Sequence, residues 1–427
     1  MRGSCTLLTS PLAQLPRLLS QAAAYACLTA SLFAADLTVG PVGTGAQYNE
    51  ISAAVSAAVP GDQVFVAPGT YSAFDVDKPL KVIGAGHQFV VVESTTSAAL
   101  RISNLAPNEV VHVTGMTLQN EPALLYTSPN LELTQNDGSV TLSDVYSSLD
   151  FTFAAPVFPT VSISDCTAVL LDGCDISSNV ASPLQVSSSS VWLTDSRVTQ
   201  ARHDLIFTTS CGALEATDSE LTLARTTVTG GIWTLLGCTG FCPGPGTSAV
   251  CLTNSTLQVS GGPGNGLFGG LTTSFAVFVD ATSTVRAAAD ALVTSGGGQP
   301  GYLPQPGSTV TLEPYPLPTA DFLPNQATHG ESVALSVTGT SGSTHFAFHS
   351  PTIGPPTQHP ALTESLVLTP ANLILLSTIP VASNGAGVFL TDIPPWPIIP
   401  RGTTVVVQTL ELSTQLLLSN PTVLTIR

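Results

Sequence analysis

The sequence predicts an all-β protein in two parts, a solenoid of stacked parallel strands followed by a smaller β-sandwich. Three observations predict it. Short apolar pairs recur between residues 111 and 287, and other positions stay in phase with them. Only 9% of the chain is charged, against about 25% in an ordinary soluble domain, while 36 Gly and 33 Pro break it into short segments. Strand-like runs separated by turn signals continue beyond residue 312 with no helical pattern between them.

In chain order, the first segment reads as an export signal over residues 1–35. Arg2 and Arg17 are its only charges, and an apolar, alanine-rich run spans Leu18 to Ala35 before the first acid, Asp36. An uncleaved membrane anchor is the alternative. No later stretch has the roughly 18 consecutive apolar residues of a spanning helix, so no transmembrane segment is expected in the mature chain. The formal charge is -17, and Lys78 and Lys81 are the only lysines. Nucleic acid, which needs clustered cations, is excluded as a partner. Export permits disulfides. Cys238 and Cys242 share one Gly-rich loop and are the candidate pair among Cys166, Cys174, Cys211, Cys238, Cys242 and Cys251. No second CxxC or histidine partner points to a metal, and no cofactor is implied.

Tyr48 to Val59 (YNEISAAVSAAV) sets Ile51, Val55 and Val59 four apart, one apolar stripe on a short helix stopped by Pro60-Gly61. The strands QVFVA (Gln63 to Ala67) and PLKVIG (Pro79 to Gly84) follow. This block resembles the N-terminal cap and first turn of right-handed parallel β-helix proteins of the pectin-lyase-like group. The resemblance implies a right-handed parallel β-helix over about residues 36–312, exported to the cell surface or beyond, and polysaccharide as the substrate class of its enzymes.

The repeat extends that reading from the residues themselves. Strands align on Val111/Val113, Val140/Leu142, Val169/Leu171, Val191/Leu193, Leu221/Leu223, Leu257/Val259 and Val285/Ala287, with steps of 29, 29, 22, 30, 36 and 28 residues. A unit of about 22 residues lengthened by loops is a solenoid signature. Seven residues after the anchors lie Leu118, Ser147, Ile176, Val198 and Val228, and five after lie Met116, Val145, Cys174, Ser196 and Thr226. Three before lie Asn108, Asp137, Cys166, Ser188, Asp218, Asn254 and Thr282, mostly small and polar and suited to corner turns. About eight coils are expected. Gly296 to Gly307 and Glu313 to Ala320 form a Pro/Gly-rich connector, and residues 313–427 are expected to form the sandwich, read as an adhesion, sorting or attachment module.

Enzymes of the pectin-lyase-like group need paired carboxylates, or a base beside cations. The adjacent Asp-Asp pair, Gly-His-Gly and Arg-Ile-Lys of polygalacturonase-like enzymes are missing here. The best remaining constellation is Asp172, Asp175, Arg197, Arg202, His203 and Asp204, with Arg225 one coil on. Asp175 and Arg197 each stand six residues after their anchors and should stack outward on adjacent coils. As a catalytic set, Asp175, Arg197, Arg202 and His203 would hold an acidic sugar, with Arg197 or Arg202 as base; Asp172, Asp204 and Arg225 would line the patch. Surface ion pairing is the plainer reading of the same residues. Asp144 and Asp195, four after their anchors, read as turn residues.

The insertion Gly230 to Ser248 displays Trp233 and Phe241, rings of the kind that stack on sugars. His345 and His349 share one strand face and, lacking a helix or HExxH, read as exposed strand residues rather than zinc ligands. Three functions follow as expectations. The first is a non-catalytic surface protein binding glycan or another surface component. The second is a divergent lyase or hydrolase of acidic polysaccharide. The third is a structural spacer of an outer layer.

Overall fold

A computed structural model describes residues 34–426, apart from 121–127, 150–157, 180, 204–210, 234–246, 261–265, 271–274, 296–300, 314–317, 324–325, 351–352, 358–365, 369–372, 394–401 and 414–415. Residues 1–35, expected to direct export, lie almost wholly outside the described residues. Helix α1 (Ile51–Ala57) buries Ile51, Ala54 and Val55 against the first coil. Val59, expected on the same stripe, is 56% exposed, because the backbone turns extended at Ala58 and ends the helix before it.

The body is a right-handed parallel β-helix, one continuous 25-stranded parallel sheet wound into three faces. Face A runs from Asp36–Val39 through Gln63–Val66 and Lys81–Gly84 to Thr309–Glu313, eleven rungs joined by ten parallel pairings. The extra rungs over the expected eight lie before and after the anchored repeats. Face B holds Gly69–Ser72, Val90–Ser94, Asp175–Ser178, Arg197–Gln200, Thr227–Thr229, Gly266–Phe268 and Leu292–Thr294. Face C holds Phe74–Val76, Leu100–Ser103, Leu184–Ser187, Gly212–Thr217, Ser248–Thr253, Val277–Val279 and Tyr302–Pro304. The long strands Val110–Asn120, Leu131–Leu149 and Val161–Asp172 bend at corners and serve two or three faces each.

The anchors lie where the repeat puts them. Val111, Val140, Val169, Val191, Leu221, Leu257 and Val285 are successive register partners on face A, all buried. Leu118, Ser147, Ile176, Val198 and Val228 do the same on face B. Stacking one side chain on its counterpart a coil away fills the interior.

The corners explain the polar positions. Between faces A and B, the position four after the anchor is left-handed at Gly115, Asp144, Gly173, Asp195 and Arg225. Asn, Asp and Gly tolerate that conformation best. Between faces C and A the left-handed residues include Asn108, Gln135, Asp165, Ser188, Asp218 and Asn254. Asp137 and Cys166, expected there, are displaced by a register shift between Cys166 and Ala168, so Gln135 and Asp165 take the turn. Inside this corner runs a serine ladder absent from the expectations. Ser189, Ser219, Ser255 and Ser283 each accept a backbone N–H from the preceding coil, from Cys166, Ser189, Ser219 and Ser255 respectively, at 2.9–3.2 Å. Most of the variation in coil length enters between faces B and C.

After the coil, a three-stranded antiparallel sheet (Thr319–Leu323, Ser332–Thr338, Ala386–Asp392) faces a larger sheet built on Thr344–Ser350, Ile374–Pro380, Thr404–Leu412 and Thr422–Ile426. Phe322, Leu335, Val337, Val407 and Ile426 fill the space between them. This sandwich rests on the outside of face A. Ala168, Leu170 and Trp192 of the coil form one apolar cluster with Ile353, Leu368, Val406 and Val423. Lys81 Nζ donates to Gly402 O at 2.9 Å, and Gln326 Nε2 to Thr114 Oγ1 at 3.2 Å.

Candidate functional site

Face B keeps its outer surface open. The position six after the anchor places Thr117, Tyr146, Asp175, Arg197 and Thr227 in one outward row, each the register partner of the next. Asp175 and Arg197 therefore stand side by side, with Arg197 Nη1 3.9 Å from Asp175 Oδ2 and the two side chains 66% and 38% exposed for Arg197 and Asp175. So long and wet a pair contributes about 0–1 kcal/mol to stability. It leaves most of the five guanidinium donors facing solvent.

His87 completes the group from the loop before Val90–Ser94. Its Nδ1 lies 2.6 Å from Asp144 Oδ1, and its ring stacks on Tyr146 with centroids 6.4 Å apart. Thr117 Oγ1 donates to the His87 carbonyl at 2.7 Å and fixes the loop. Asp144 reaches His87 because its left-handed corner turns the side chain outward between faces A and B. Partial burial raises the Asp175 carboxyl above the usual carboxylate range, and the charges of Arg197 and His87 work against that rise. Further along face B, Gln119 donates to Glu93 at 2.7 Å, and Ser148, Ser177, Thr199 and Thr229 carry hydroxyls in the next outward row. The surface thus combines a tyrosine ring, a histidine–aspartate pair, one open guanidinium and a run of hydroxyls.

Two residues expected in this patch are elsewhere. Asp172 is outward on face A, not face B, because the corner at Gly173 separates it from Asp175; the sandwich leaves it 1% exposed. Arg225 occupies the corner position itself and is held by Asp195 and Asp321 of the sandwich. Arg202 and His203 pair through their backbones with Ile232 and Trp233. The side chains of Arg202, His203 and Trp233, and the whole of Asp204, Phe241, Cys238 and Cys242, lie outside the described residues. Tyr146 and Thr117 share the phase that picked out Asp175 and Arg197, so extending that phase along the anchors finds them. His87 sits in a loop with no phase to betray it.

Other expectations resolve locally. The disulfide among the described residues joins Cys211 to Cys251 across adjacent coils of face C. Cys166 and Cys174 are buried free thiols, and burial pushes Cys174 up to about 12, far from reactivity. His345 is not an exposed strand residue. Its strand face is the inner one, and it is fully buried 3.5 Å from Glu411, with Thr409 on its other ring nitrogen at 2.9 Å. No group of three metal-ligating side chains occurs among the described residues, and no helix there is long and apolar enough to cross a membrane.

No family model and no curated protein matches the sequence. Among solved structures, the chain is similar to ORF18 of Geobacillus virus E2, at 10% identity over 98% of this chain and 80% of that one, with a TM-score of 0.35. It is similar to tailspike protein 2 of the Escherichia coli O157:H7 bacteriophage CAB120, at 9% identity over 91% of this chain and 68% of that one, TM-score 0.40. It is also similar to the pectin methylesterase of Aspergillus niger, at 11% identity over 66% and 86%, TM-score 0.24.

Proposed function

We propose that this is an exported protein that binds carbohydrate on the open face of its β-helix, around His87, Tyr146, Asp175 and Arg197. The observation that carries the reading is the outward row itself, in which a stackable ring and an exposed guanidinium stand two coils apart with ranks of hydroxyls beside them. Aromatic faces take the apolar side of a sugar ring, a guanidinium takes a carboxylate through two parallel hydrogen bonds, and small hydroxyls fix orientation. By sequence, Arg202, His203, Trp233 and Phe241 belong to the same proposed binding role. Export is supported by the N-terminal pattern and the Cys211–Cys251 bridge. The division into an export segment at 1–35, a coil at 36–312 and a sandwich at 313–427 belongs to the same proposal.

A glycan array tests it. The protein should retain acidic oligosaccharides, and Arg197→Ala and Tyr146→Ala should each weaken retention at least about tenfold without changing the fold. A blank array, or unchanged binding by both variants, removes the site. The His87–Asp144 pair favours a second reading, cleavage of an acidic chain, because an aspartate-held imidazole on the same open face as a guanidinium is equipped to take a proton next to a carboxylate. Release of unsaturated or reducing ends that His87→Gln abolishes would select it over binding alone.

A further inference from the structure

We infer that the contact between the sandwich and face A is a pH-sensitive latch, closed in acidic to neutral solution and loosened in mildly alkaline solution. It does not rest on the carbohydrate reading. Three carboxylates converge on one guanidinium across the contact. Arg225 Nε donates to Asp195 Oδ1 at 2.7 Å and Nη2 donates to Asp195 Oδ2. Nη2 also lies 3.3 Å from Asp321 Oδ1, and Nη1 donates to Ala320 O at 2.9 Å. Asp172 sits behind this group; one of its oxygens accepts the Thr194 hydroxyl, and Oδ2 has no hydrogen-bond partner among the described residues. Asp321 and Ala320 belong to the sandwich and the others to the coil, so the repulsion of Asp321 by Asp195 and Asp172 acts across the seam, while that between Asp172 and Asp195 acts within the coil. Fully ionised, the cluster would hold two uncompensated negative charges away from water, which is costly.

Protons relieve that excess. Burial pushes Asp172 up to about 7, with the charge of Asp195 adding to the rise and Thr194 and Arg225 opposing it. Burial pushes Asp321 to about 7 as well, against the pull of Arg225. Both carboxyls hold a proton more tightly docked than free. Docking is therefore favoured at acid pH, and the advantage is lost as pH rises through about 7. Other charged groups face the same seam. His112, beside Thr425, is pushed down to about 3 by burial and then by the charge of Lys81, so its protonation opposes docking below its ordinary value of 6.5. Lys81 is tied to Gly402, and Glu220 lines a crevice with Trp192, Gln408 and Asn420. The histidine, half protonated at pH 6.5 when undocked, is largely neutral in both states above about pH 7.5, where the carboxyls act alone.

The full-length protein carrying Thr141→Cys tests the latch. Thr141 points outward on face A between His112 and Leu170 and is 3% exposed. Its labelling by a thiol reagent, read by peptide mass and divided by that of an exposed Ser72→Cys reference, reports opening. Linkage gives about fourfold more opening per carboxyl between pH 6.5 and 8.5, roughly tenfold for the pair after the histidine's small opposing effect. Asp172→Asn and Asp321→Asn should each cut that rise about fourfold. A flat normalised profile in the parent overturns the latch, as does an undiminished rise in both Asn variants. If those variants fail to fold, the parent profile decides alone.

Discussion

Faces A and B belong to the same coil, stack on the same rungs and turn through the same corners, yet their outer surfaces have opposite fates. On face A the outward row His112, Thr141, Leu170 and Trp192 is buried, because the sandwich lies on it. On face B the corresponding row Thr117, Tyr146, Asp175 and Arg197 stays in contact with solvent. The inner anchor positions of face A are all aliphatic, whereas those of face B also admit Ser147, Ser196 and Thr226. The outward chemistry differs too: two apolar side chains on adjacent coils, Leu170 and Trp192, mark the covered face, and paired charges with a tyrosine mark the open one. The solenoid solves stability on its inside and leaves each outer face to be specialised separately.

Substitutions can break that contrast. The largest effect is expected at the seam. Trp192→Ala removes the largest ring of the shared apolar cluster and should cost about 3–5 kcal/mol of sandwich–coil stability, seen as a separate, earlier unfolding step in calorimetry. A single transition at the parent temperature would mean that the cluster does not hold the two parts together. Next comes the corner ladder. Ser219→Ala leaves the buried Ser189 N–H without an acceptor and should destabilise the coil by about 1–3 kcal/mol, while Ser219→Thr keeps the oxygen and loses less. Inside the sandwich, contacts to His345 and Thr340 outweigh burial and hold Glu411 below the usual carboxylate range. Its contribution is present above that range and is lost as pH falls, so acid unfolding of the sandwich should begin at lower pH in the parent than in Glu411→Gln. The smallest stability effect belongs to face B, where Thr199→Ala and Arg197→Ala should each stay within about 0.5–1 kcal/mol by chemical denaturation. A larger loss would show that the open face also supports the fold.

The periodic part of the molecule was legible because the interior admits one solution per coil. Once Val111 and Val140 are aligned, the inward rows on two faces and the corner four residues after each anchor follow by counting. Legibility ended where partners come from outside the period. Asp172 and Asp175 are three residues apart and look like one patch, but a left-handed glycine between them sends one under the sandwich and the other to solvent. Arg225 carries a cation at a corner where Asp or Gly otherwise stands, and only the position of Asp321 shows what it answers. His87 enters the site from a loop, and the sandwich reaches the coil through strands from 95 to 321 residues downstream; spacing carries no information about either.

The corners also divide the coil by tolerance. Between Ser143 and Val145, or Thr194 and Ser196, one left-handed residue makes the whole turn from face A to face B. Between Ser178 and Leu184, Gln200 and Gly212, or Thr229 and Ser248, the chain crosses from face B to face C with connections of very different length. An added residue at the first edge would rotate every side chain beyond it off its stack, whereas the second edge has already absorbed such additions without disturbing a rung. New loops can be grafted beside the open face, coil by coil, while the docked face keeps its footing.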